Sequence, residues 1–478
     1  MEYTYNKPTH LHQRYIVMNT IWNPDLSTDG PKYLALLRAL RDGVAQGQLG
    51  PGSQLPTVRD LAWRLSVTPG TVARAYQMGT QEGLLEATVG RGTFVASRIV
   101  RPMPQLLEAR DTGAGRLDLR SPKLPDVGQG ALFSAALRRM AAGMGPDWLD
   151  YTSQTQEAPL REAVCGWLAD RVMGSFGPGD LMLTHGGQNA IRMVMDCVLS
   201  GDRPVVLTEE LSYPGFRYAA RLARAEVVTV EIDEQGLRPD ALEAACLRHA
   251  AQVLCLTPEA QNPTTARMGA ARRAEIVAIA RRHGLQIIED ECYIAGARGE
   301  PTLRALAPER VWYVGSLSKS VSAALRFGYV VCPTDRGDGA RLVAQHNFFA
   351  LPQPVTALCL DLLQSGAADD ICRSVQAELE LRLQRVVHHL GAFDLHWQPG
   401  IAFVWLKLPR GWRASSFTRA AEEAGVLLRS ADQYAQSQAR VPHAVRMAVA
   451  GDAAIADLDR GLAALARLLP LPPSDMAV

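Results

Sequence analysis

Residues 313–319 read Tyr-Val-Gly-Ser-Leu-Ser-Lys. The apolar residues predict a strand that ends in a short turn of small and hydroxyl-bearing residues, and Lys319 closes that turn. A strand end over a pocket can withdraw water from a lysine, which lowers the pKa of its amine and makes it a better nucleophile. Lys319 is therefore the candidate residue for Schiff-base formation with an aldehyde.

Two further segments predict an anion site near this lysine. Arg326 follows seven residues later and can pair with a phosphate, while Ser316 and Ser318 supply hydroxyl donors. Upstream, Gly187 and Gln188 open a helical run, and the free amides at a helix N-terminus favour an anion. These residues together predict a phosphate cup.

A carboxylate and three polar side chains complete the predicted pocket. Asp290 follows the apolar run 285–289, so it stands at the carboxyl end of a strand. A carboxylate there keeps a pyridine nitrogen protonated, which lets the ring accept electrons. Tyr293 and Asn262 can hydrogen-bond a phenolic oxygen, and Tyr213 offers a stacking face. The pattern predicts a pocket for pyridoxal 5'-phosphate.

The remainder of the chain beyond residue 118 favours an α/β sheet. Short runs rich in β-branched and aliphatic residues alternate there with longer amphipathic helices. These runs are 204–207, 227–230, 253–256 and 285–288.

Composition narrows the class of protein. The 478 residues include 50 Lys and Arg against 49 Asp and Glu, and 47% are hydrophobic, which excludes a mainly disordered chain and a polybasic coat. The eight cysteines form no CxxC pair, so no metal site is predicted. There is no signal-peptide core and no apolar run of about 18 residues. We expect a cytoplasmic protein with no membrane partner, beginning at Met1 or Met18.

Changes in amino-acid composition and hydrophobic pattern divide the chain into four stretches. Between residues 31 and 98, eight Lys and Arg stand against four acidic residues, which is a local basic excess of four charges. A stretch that mixes Pro, Gly and Arg then follows and is typical of a linker. We expect an N-terminal tail at 1–30, a compact basic domain at 31–97, a linker at 98–117 and a large domain at 118–478.

The basic domain has the pattern of a winged helix-turn-helix. A first helix is predicted at 31–46, Thr57 caps a second, and a third starts at Thr68. On the third helix Val72, Ala75, Tyr76 and Gly79 face inward, while the outward set is Thr71, Arg74, Gln77 and Met78. A Gly-rich tip between two strands carries Arg91, which adds charge close to a sugar-phosphate backbone.

The run GQLGPGSQLPTVRDLAWRLSVTPGTVARAYQMGTQEGLLEATVGRGTFV, residues 47–95, closely resembles the GntR-type winged helix-turn-helix. The resemblance implies that Arg59, Thr71, Arg74 and Gly92 meet double-stranded operator DNA. Pro69 and Gly70 stand where many members carry an arginine, so base preference stays open. The alternative is a winged helix used only for protein contacts.

Residues 118–466 resemble fold-type I, class I/II-like aminotransferases in the order and spacing of the motifs. The resemblance implies pyridoxal phosphate bound by Lys319 and a homodimer in which Tyr151 serves the phosphate site of the neighbouring subunit. It also assigns Arg446 to the α-carboxylate of a substrate. The segment 233–237 matches a structural marker of the family.

Four positions depart from the aminotransferase pattern. The segment Arg120–Pro125 lacks the usual glycine of S-x-G-x-P, and Gln156 replaces a glycine. Leu211 replaces a proline, and Thr265 replaces the glycine of N-P-T-G. Cofactor binding is expected to survive these changes, whereas efficient turnover is put in question.

A GntR-type domain joined to an aminotransferase-like domain resembles MocR-type transcriptional regulators. The expected function is a DNA-binding regulator that holds pyridoxal phosphate as a Lys319 aldimine and senses an amino compound or the cofactor itself. Two alternatives stay open: an active aminotransferase with a DNA-binding appendage, and a repressor that senses the cofactor and ignores amines.

Overall fold

The computed structural model describes residues 22, 24, 26, 31–45, 48–50, 52–81, 84–88, 92–96, 116–294, 299–435, 441–449 and 451–471. The chain separates into two compact units, residues 1–110 and 111–478. All eight cysteines are free thiols. In the described ranges no group of His, Cys, Asp and Glu could hold a metal ion, and no helix has the length and apolar character needed to cross a bilayer.

The N-terminal unit contains three helices and a two-stranded antiparallel wing. Thr57 caps the second helix by accepting a hydrogen bond from the Asp60 amide at 3.2 Å. The predicted order of helices and wing strands is confirmed. The elements are α1 (Lys32–Ala45), α2 (Val58–Arg64), α3 (Pro69–Gln81), β1 (Leu85–Thr88) and β2 (Gly92–Val95).

A small apolar core holds these elements together. Val72 and Tyr76 of α3 face inward as predicted, and the Tyr76 hydroxyl donates to the Pro56 carbonyl at 2.9 Å. Trp22 and Leu26 are buried in the same core, although both lie within the predicted N-terminal tail. The end of that stretch therefore packs on the winged helix unit.

The large unit is α/β. Its strands are β3 (Leu117–Asp118), β4 (Leu181–Thr184), β5 (Val205–Glu209), β6 (Glu226–Val230), β7 (Ile232–Asp233), β8 (Gly236–Leu237), β9 (Ala251–Leu256), β10 (Gln286–Asp290), β11 (Val311–Ser316), β12 (Gly328–Val331), β13 (Leu395–His396), β14 (Phe403–Lys407), β15 (Val426–Leu427), β16 (Arg429–Ser430) and β17 (Ala444–Ala448).

Twelve helices of the large unit lie within the described ranges. They are α4 (Gln129–Ala142), α5 (Gln154–Trp167), α6 (Gly187–Val198), α7 (Pro214–Leu222), α8 (Pro239–Arg248), α9 (Ala270–His283), α10 (Leu303–Leu306), α11 (Gly337–Phe348), α12 (Gln353–Gln364), α13 (Ala367–Leu390), α14 (Ala414–Glu423) and α15 (Ile455–Leu468). Apolar clusters on both faces of the central sheet form its core.

The central sheet has seven strands in the order β4-β12-β11-β10-β9-β5-β6. Only β12 runs antiparallel to its neighbours, so the carboxyl ends of the other six strands meet at one edge. A second, antiparallel sheet has the order β13-β14-β17-β16. Loops that leave the shared edge of a parallel sheet are where such folds bind ligands.

Glu209 at the end of β5 is a buried carboxyl group, only 1% exposed. Its Oε2 has no hydrogen-bond partner in the described chain. Burial raises its pKa from the ordinary 4.5 to about 8, although Gln261 and Thr257 offset part of this effect.

We expect Glu209→Gln to change how stability depends on pH. Folded Glu209 keeps its proton up to about pH 8, whereas the unfolded side chain loses it near pH 4.5. The wild-type free energy of unfolding therefore falls as pH rises across this window, and glutamine removes that loss. Urea unfolding at several pH values should show that the free energy of unfolding of the variant increases relative to that of the wild type as pH rises. A difference that does not vary with pH would contradict this.

Candidate functional site

Lys319 closes a single helical turn that follows β11 at the carboxyl edge of the sheet. Its Nζ donates a hydrogen bond to the Pro122 carbonyl at 2.9 Å. Burial lowers the pKa of Lys319 to about 8, and the positive charges of Arg446 and Arg326 act in the same direction. The amine is therefore partly neutral near physiological pH, as a nucleophile requires.

Asp290 is the last residue of β10 and is buried. Its Oδ1 accepts a hydrogen bond from the Cys292 amide at 3.0 Å, and burial raises the pKa of the carboxyl group. Within the described ranges no Lys or Arg forms an ion pair with it. A buried carboxylate of this kind suits a cationic partner such as a protonated ring nitrogen.

The amide end of α6 lies close to Arg326. Gly186 precedes the helix with φ 84°, and a Cβ there would come within 2.9 Å of Arg326 Nη2. A Cβ on Gly187 would lie 2.4 Å from the Cys292 Sγ. Glycine is thus required at both positions, and the bare backbone leaves the helix amides accessible to an anion.

The other predicted phosphate residues surround this backbone. Arg326 has φ 47° and donates from Nη2 to the His185 carbonyl at 3.1 Å. The Ser316 hydroxyl lies 3.0 Å from the Phe327 carbonyl and 2.9 Å from the Ser318 hydroxyl. Ser316 is therefore already engaged by the backbone, whereas Ser318 keeps acceptor and donor capacity toward the cup.

Tyr213 and Gln188 are joined across the pocket. The Tyr213 hydroxyl donates to Gln188 Oε1 at 3.0 Å, and Gln188 Nε2 donates to the Gly215 carbonyl at 3.1 Å. The Tyr213 ring is fixed by an edge contact with Phe216, with 5.8 Å between ring centroids. Gln188 thus orients the aromatic ring that was predicted to stack on a ligand.

Arg446 of β17 is 4% exposed and reaches the same pocket. Nη1 donates to Asn262 Oδ1 at 2.9 Å and Nη2 donates to the Arg120 carbonyl at 3.2 Å, whereas Nε has no partner in the described chain. Its guanidinium lies against the rings of Phe403 and Tyr434, at 5.0 and 5.2 Å from their centroids. A buried guanidinium with an unused donor suits a carboxylate.

Tyr293 lies between the lysine and this arginine. Its ring centroid is 5.9 Å from Lys319 Nζ, and its ring meets Phe403 edge-on at 5.1 Å. Burial raises the pKa of the Tyr293 hydroxyl, and the positive charge of Arg446 opposes that rise.

Tyr151 lies on the surface and is 73% exposed. Its ring stacks on Phe349, which is 66% exposed and has φ 65°, with 5.2 Å between centroids. Tyr151 is therefore not held by the pocket of its own chain.

In the N-terminal unit the predicted DNA-contacting residues are on the surface. Thr71 and Arg74 lie on the outward face of α3, Arg59 is exposed on α2, and Gly92 begins β2 with φ 110°. The Arg74 guanidinium stacks over the Tyr33 ring at 4.0 Å, which fixes its plane. The predicted contact Arg91 lies outside the described residues.

Comparisons with protein families agree with this geometry. Residues 117–465 match the family model "Aminotransferase class I and II", and residues 32–95 match "Bacterial regulatory proteins, gntR family". The chain belongs to the aminotransferase class I and II family. It joins this aminotransferase unit to a GntR helix-turn-helix unit, which is the domain composition of MocR-type regulators.

Several curated proteins match most of this chain. The uncharacterized HTH-type transcriptional regulator YdeF of Bacillus subtilis is 29% identical over 94% of this chain and 96% of its own length. The pyridoxine biosynthesis regulator PdxR of Corynebacterium glutamicum is 29% identical over 77% of this chain and 78% of its own. Among solved structures, LysN, an alpha-aminoadipate aminotransferase from Thermus thermophilus, is 25% identical with a TM-score of 0.64 and covers 75% of this chain and 92% of that one.

The sequence predicts that residues 425–430 line the pocket but gives Arg429 among them no role, and it does not predict Tyr434 or Phe349. Arg429 and Tyr434 lie beside Arg446, and Phe349 lies beside Tyr151. Arg429 and Arg446 are 17 positions apart in the chain, and only the pairing of β16 with β17 brings them together. The alternation of β16 is too short to be recognised as a signal.

The departure at Thr265 has a measurable backbone consequence. Thr265 has φ 63°, in the left-handed region where a β-branched residue is strained, and it is buried. Gln261 accepts a hydrogen bond from its amide at 2.7 Å, and Gln398 donates to its carbonyl. The loop after β9 therefore keeps the turn that the usual glycine makes, at a cost of about 1–2 kcal/mol.

We expect the aminotransferase unit to capture pyridoxal phosphate faster as pH rises, with a midpoint near 8. Only the neutral Lys319 amine attacks an aldehyde, and its pKa is about 8 instead of the ordinary 10.5. Stopped-flow absorbance with cofactor-free protein measures this profile. Arg446→Gln removes a positive charge that lowers the pKa of Lys319, so the midpoint of the pH profile should rise in this variant. A midpoint close to 10.5 in the wild type would contradict the assignment.

Proposed function

We propose that the chain is a DNA-binding transcriptional regulator whose aminotransferase unit holds pyridoxal 5'-phosphate through Lys319 and responds to an amino compound or to the cofactor itself. The observation that carries the proposal is that Lys319, Asp290 and Arg446 all lie near Tyr293, in a chain whose residues 32–95 match the GntR family. Relatives support the link to the cofactor, since one is named a pyridoxine biosynthesis regulator and another a vitamin B6 salvage repressor.

The residues of the pocket fit pyridoxal phosphate. When bound, this cofactor supplies an aldehyde that condenses with amines and a ring that withdraws electrons. Asp290 would keep the ring nitrogen protonated. The amides of Gly187 and Gln188 with Ser318 and Arg326 would hold the phosphate.

Each remaining side chain has a role that follows from its surroundings. The partly neutral amine of Lys319 would hold the cofactor covalently. Tyr293 and Asn262 would hydrogen-bond the phenolic oxygen, and Asn262 also orients Arg446, to which it is bonded at 2.9 Å. Arg446 would receive the carboxylate of an amino compound. Tyr213, held by Gln188, would cover one face of the ring.

A homodimer is part of the proposal. Tyr151 and Phe349 present two stacked, exposed aromatic rings, and Leu149, two residues before Tyr151 in the chain, is 91% exposed. Exposed apolar side chains grouped in this way are typical of a protein interface. In a dimer Tyr151 would reach the phosphate site of the neighbouring subunit, and two GntR units would bind two half-sites of an operator.

Ligand binding would act on DNA through a difference in affinity. An amino compound that binds one arrangement of the aminotransferase units better than another shifts the protein toward that arrangement. The GntR units, joined through the predicted linker, would then meet spaced half-sites differently. Arg59, Thr71, Arg74, Arg91 and Gly92 are the proposed DNA contacts.

A second function, amino transfer, is favoured by the complete set of pocket residues. Lys319, Asp290, Tyr293 and Arg446 are those that a transaminase would use. Multiple-turnover formation of a new amino acid from a 2-oxo acid would support this function. Reaction with one equivalent of an amino compound, without further turnover, would support a sensing role and not an enzymatic one.

We expect Lys319→Ala to abolish the covalent cofactor adduct trapped by borohydride. The variant lacks the amine, whereas Asp290 and the phosphate cup are unchanged, so reversible binding should persist. Intact-mass spectrometry after reduction measures the adduct. Lys123→Ala is the matched control, because Lys123 is half exposed and paired with Asp452, and it should label like the wild type. An adduct that persists in Lys319→Ala would disprove the attachment site.

A further inference from the structure

Arg429 and Arg446 stand directly opposite each other in the antiparallel pair of β16 and β17. Residues at paired positions project from the same face of a sheet. Two like charges in this arrangement repel each other and destabilise the strand pair. Their position at the pocket therefore calls for an explanation in terms of ligand binding.

Both arginines converge on one main-chain oxygen. Arg429 Nε donates to the Arg120 carbonyl at 2.8 Å, and Arg446 Nη2 donates to the same oxygen at 3.2 Å. The other Arg429 nitrogens donate to Gln433 Oε1 at 2.8 Å and to the Ser121 hydroxyl at 3.4 Å. All three acceptors of Arg429 are thus neutral, and the carbonyl shared with Arg446 carries only a partial charge. A carboxylate has two oxygens and a full charge, and it suits two guanidinium groups far better.

The side chains around this pair are open to an anion. Arg446 Nε has no partner in the described ranges, and neither has the hydroxyl of the buried Tyr434. Tyr434 lies beneath the Arg446 guanidinium. Both arginines lower the pKa of the Tyr434 hydroxyl, although burial has the larger, opposite effect. Positive potential and unused donors therefore coincide at one place.

The shared carbonyl belongs to a short segment, residues 120–122, which we call the strap. Its other end is also held by the pocket, because Lys319 Nζ donates to the Pro122 carbonyl at 2.9 Å. Before the strap, the Leu119 amide donates to Leu427 and its carbonyl accepts from Ala448, at 2.9 and 2.8 Å. Within the strap, the Arg120 amide and guanidinium donate to Asp118, whereas the carbonyls of Arg120 and Pro122 accept from the cationic side chains of the site.

We propose that Arg429 and Arg446 together bind the carboxylate of the amino compound, and that the Arg120 carbonyl holds the place of that carboxylate until it arrives. Arg429 is thus a further ligand-binding residue that selects amino acids over simple amines. Carboxylate binding releases the Arg120 carbonyl from Arg429 and Arg446, and so loosens the strap immediately after β3. This inference rests on the proposed function.

Hydrogen exchange of the full-length, cofactor-loaded protein tests the inference. Glycine and methylamine are the probes, because glycine has no side chain for the pocket to exclude and methylamine lacks only the carboxylate. Glycine should increase exchange in peptides that cover residues 119–123, and methylamine should not. An equal effect of the two probes, or no effect of glycine up to its solubility limit, would overturn the inference.

Variants assign the effect to Arg429. Arg429→Gln should raise the half-saturating glycine concentration about tenfold, since it removes one charge-assisted hydrogen bond. Arg429→Lys keeps the positive charge but lacks the two-pronged guanidinium group. Its half-saturating glycine concentration should lie between those of Arg429→Gln and the wild type. Arg410→Gln removes an exposed charge of the same unit and should match the wild type. An unchanged glycine response in Arg429→Gln would overturn the role of this residue.

The cofactor absorbance of each protein separates this inference from the proposed function. A wild type that fails to bind pyridoxal phosphate contradicts both. A wild type whose cofactor band responds to glycine, while Arg429→Gln responds at the same concentrations, contradicts only the paired-arginine site. A normal cofactor band in Arg429→Gln also shows that the variant is folded.

Discussion

The pocket depends on the burial of one amine at the carboxyl edge of a parallel sheet. Water would keep Lys319 protonated, whereas burial beside two arginines brings its pKa to about 8. The sheet makes this burial possible because the strands on both sides of β11 fix the turn that carries the lysine. Asp290 ends β10, and Tyr213 and Gly187 follow β5 and β4, so all three reach the pocket from the same edge of the sheet.

Positive charge dominates this pocket and determines what it can accept. Lys319, Arg326, Arg429 and Arg446 lie around it, and Asp290 is the carboxylate that faces a ring nitrogen in the proposed arrangement. In the described chain the carbonyls of His185, Arg120 and Pro122 are bonded to these cations. A phosphate and a carboxylate are stronger acceptors than carbonyls. This distribution of positive charge suits a ligand with an anionic group at each end, as the proposed function requires.

The sequence predicts well where strands end and where helices start. It predicts far less well which side chains from other parts of the chain contact these positions. Periodicity and caps locate Lys319, Asp290, Thr57 and the outward face of α3, because local patterns determine where an element stops. The position of Arg429 opposite Arg446, and the contact of Tyr434 with Arg446, could not be found in this way, since both depend on the pairing of short strands. The sequence assigns Trp22 and Leu26 to a tail, because isolated apolar residues among polar ones do not form the periodic pattern of a helix or strand.

The central claim is that the cofactor pocket controls DNA binding by the GntR unit. Footprinting on the DNA upstream of the protein's own gene, with and without pyridoxal phosphate at fixed salt, tests it most directly. The account predicts protection of spaced repeats that changes with the cofactor in the wild type, and loss of protection in Arg74→Ala. Identical wild-type protection with and without the cofactor, or no protection in either state, would contradict it.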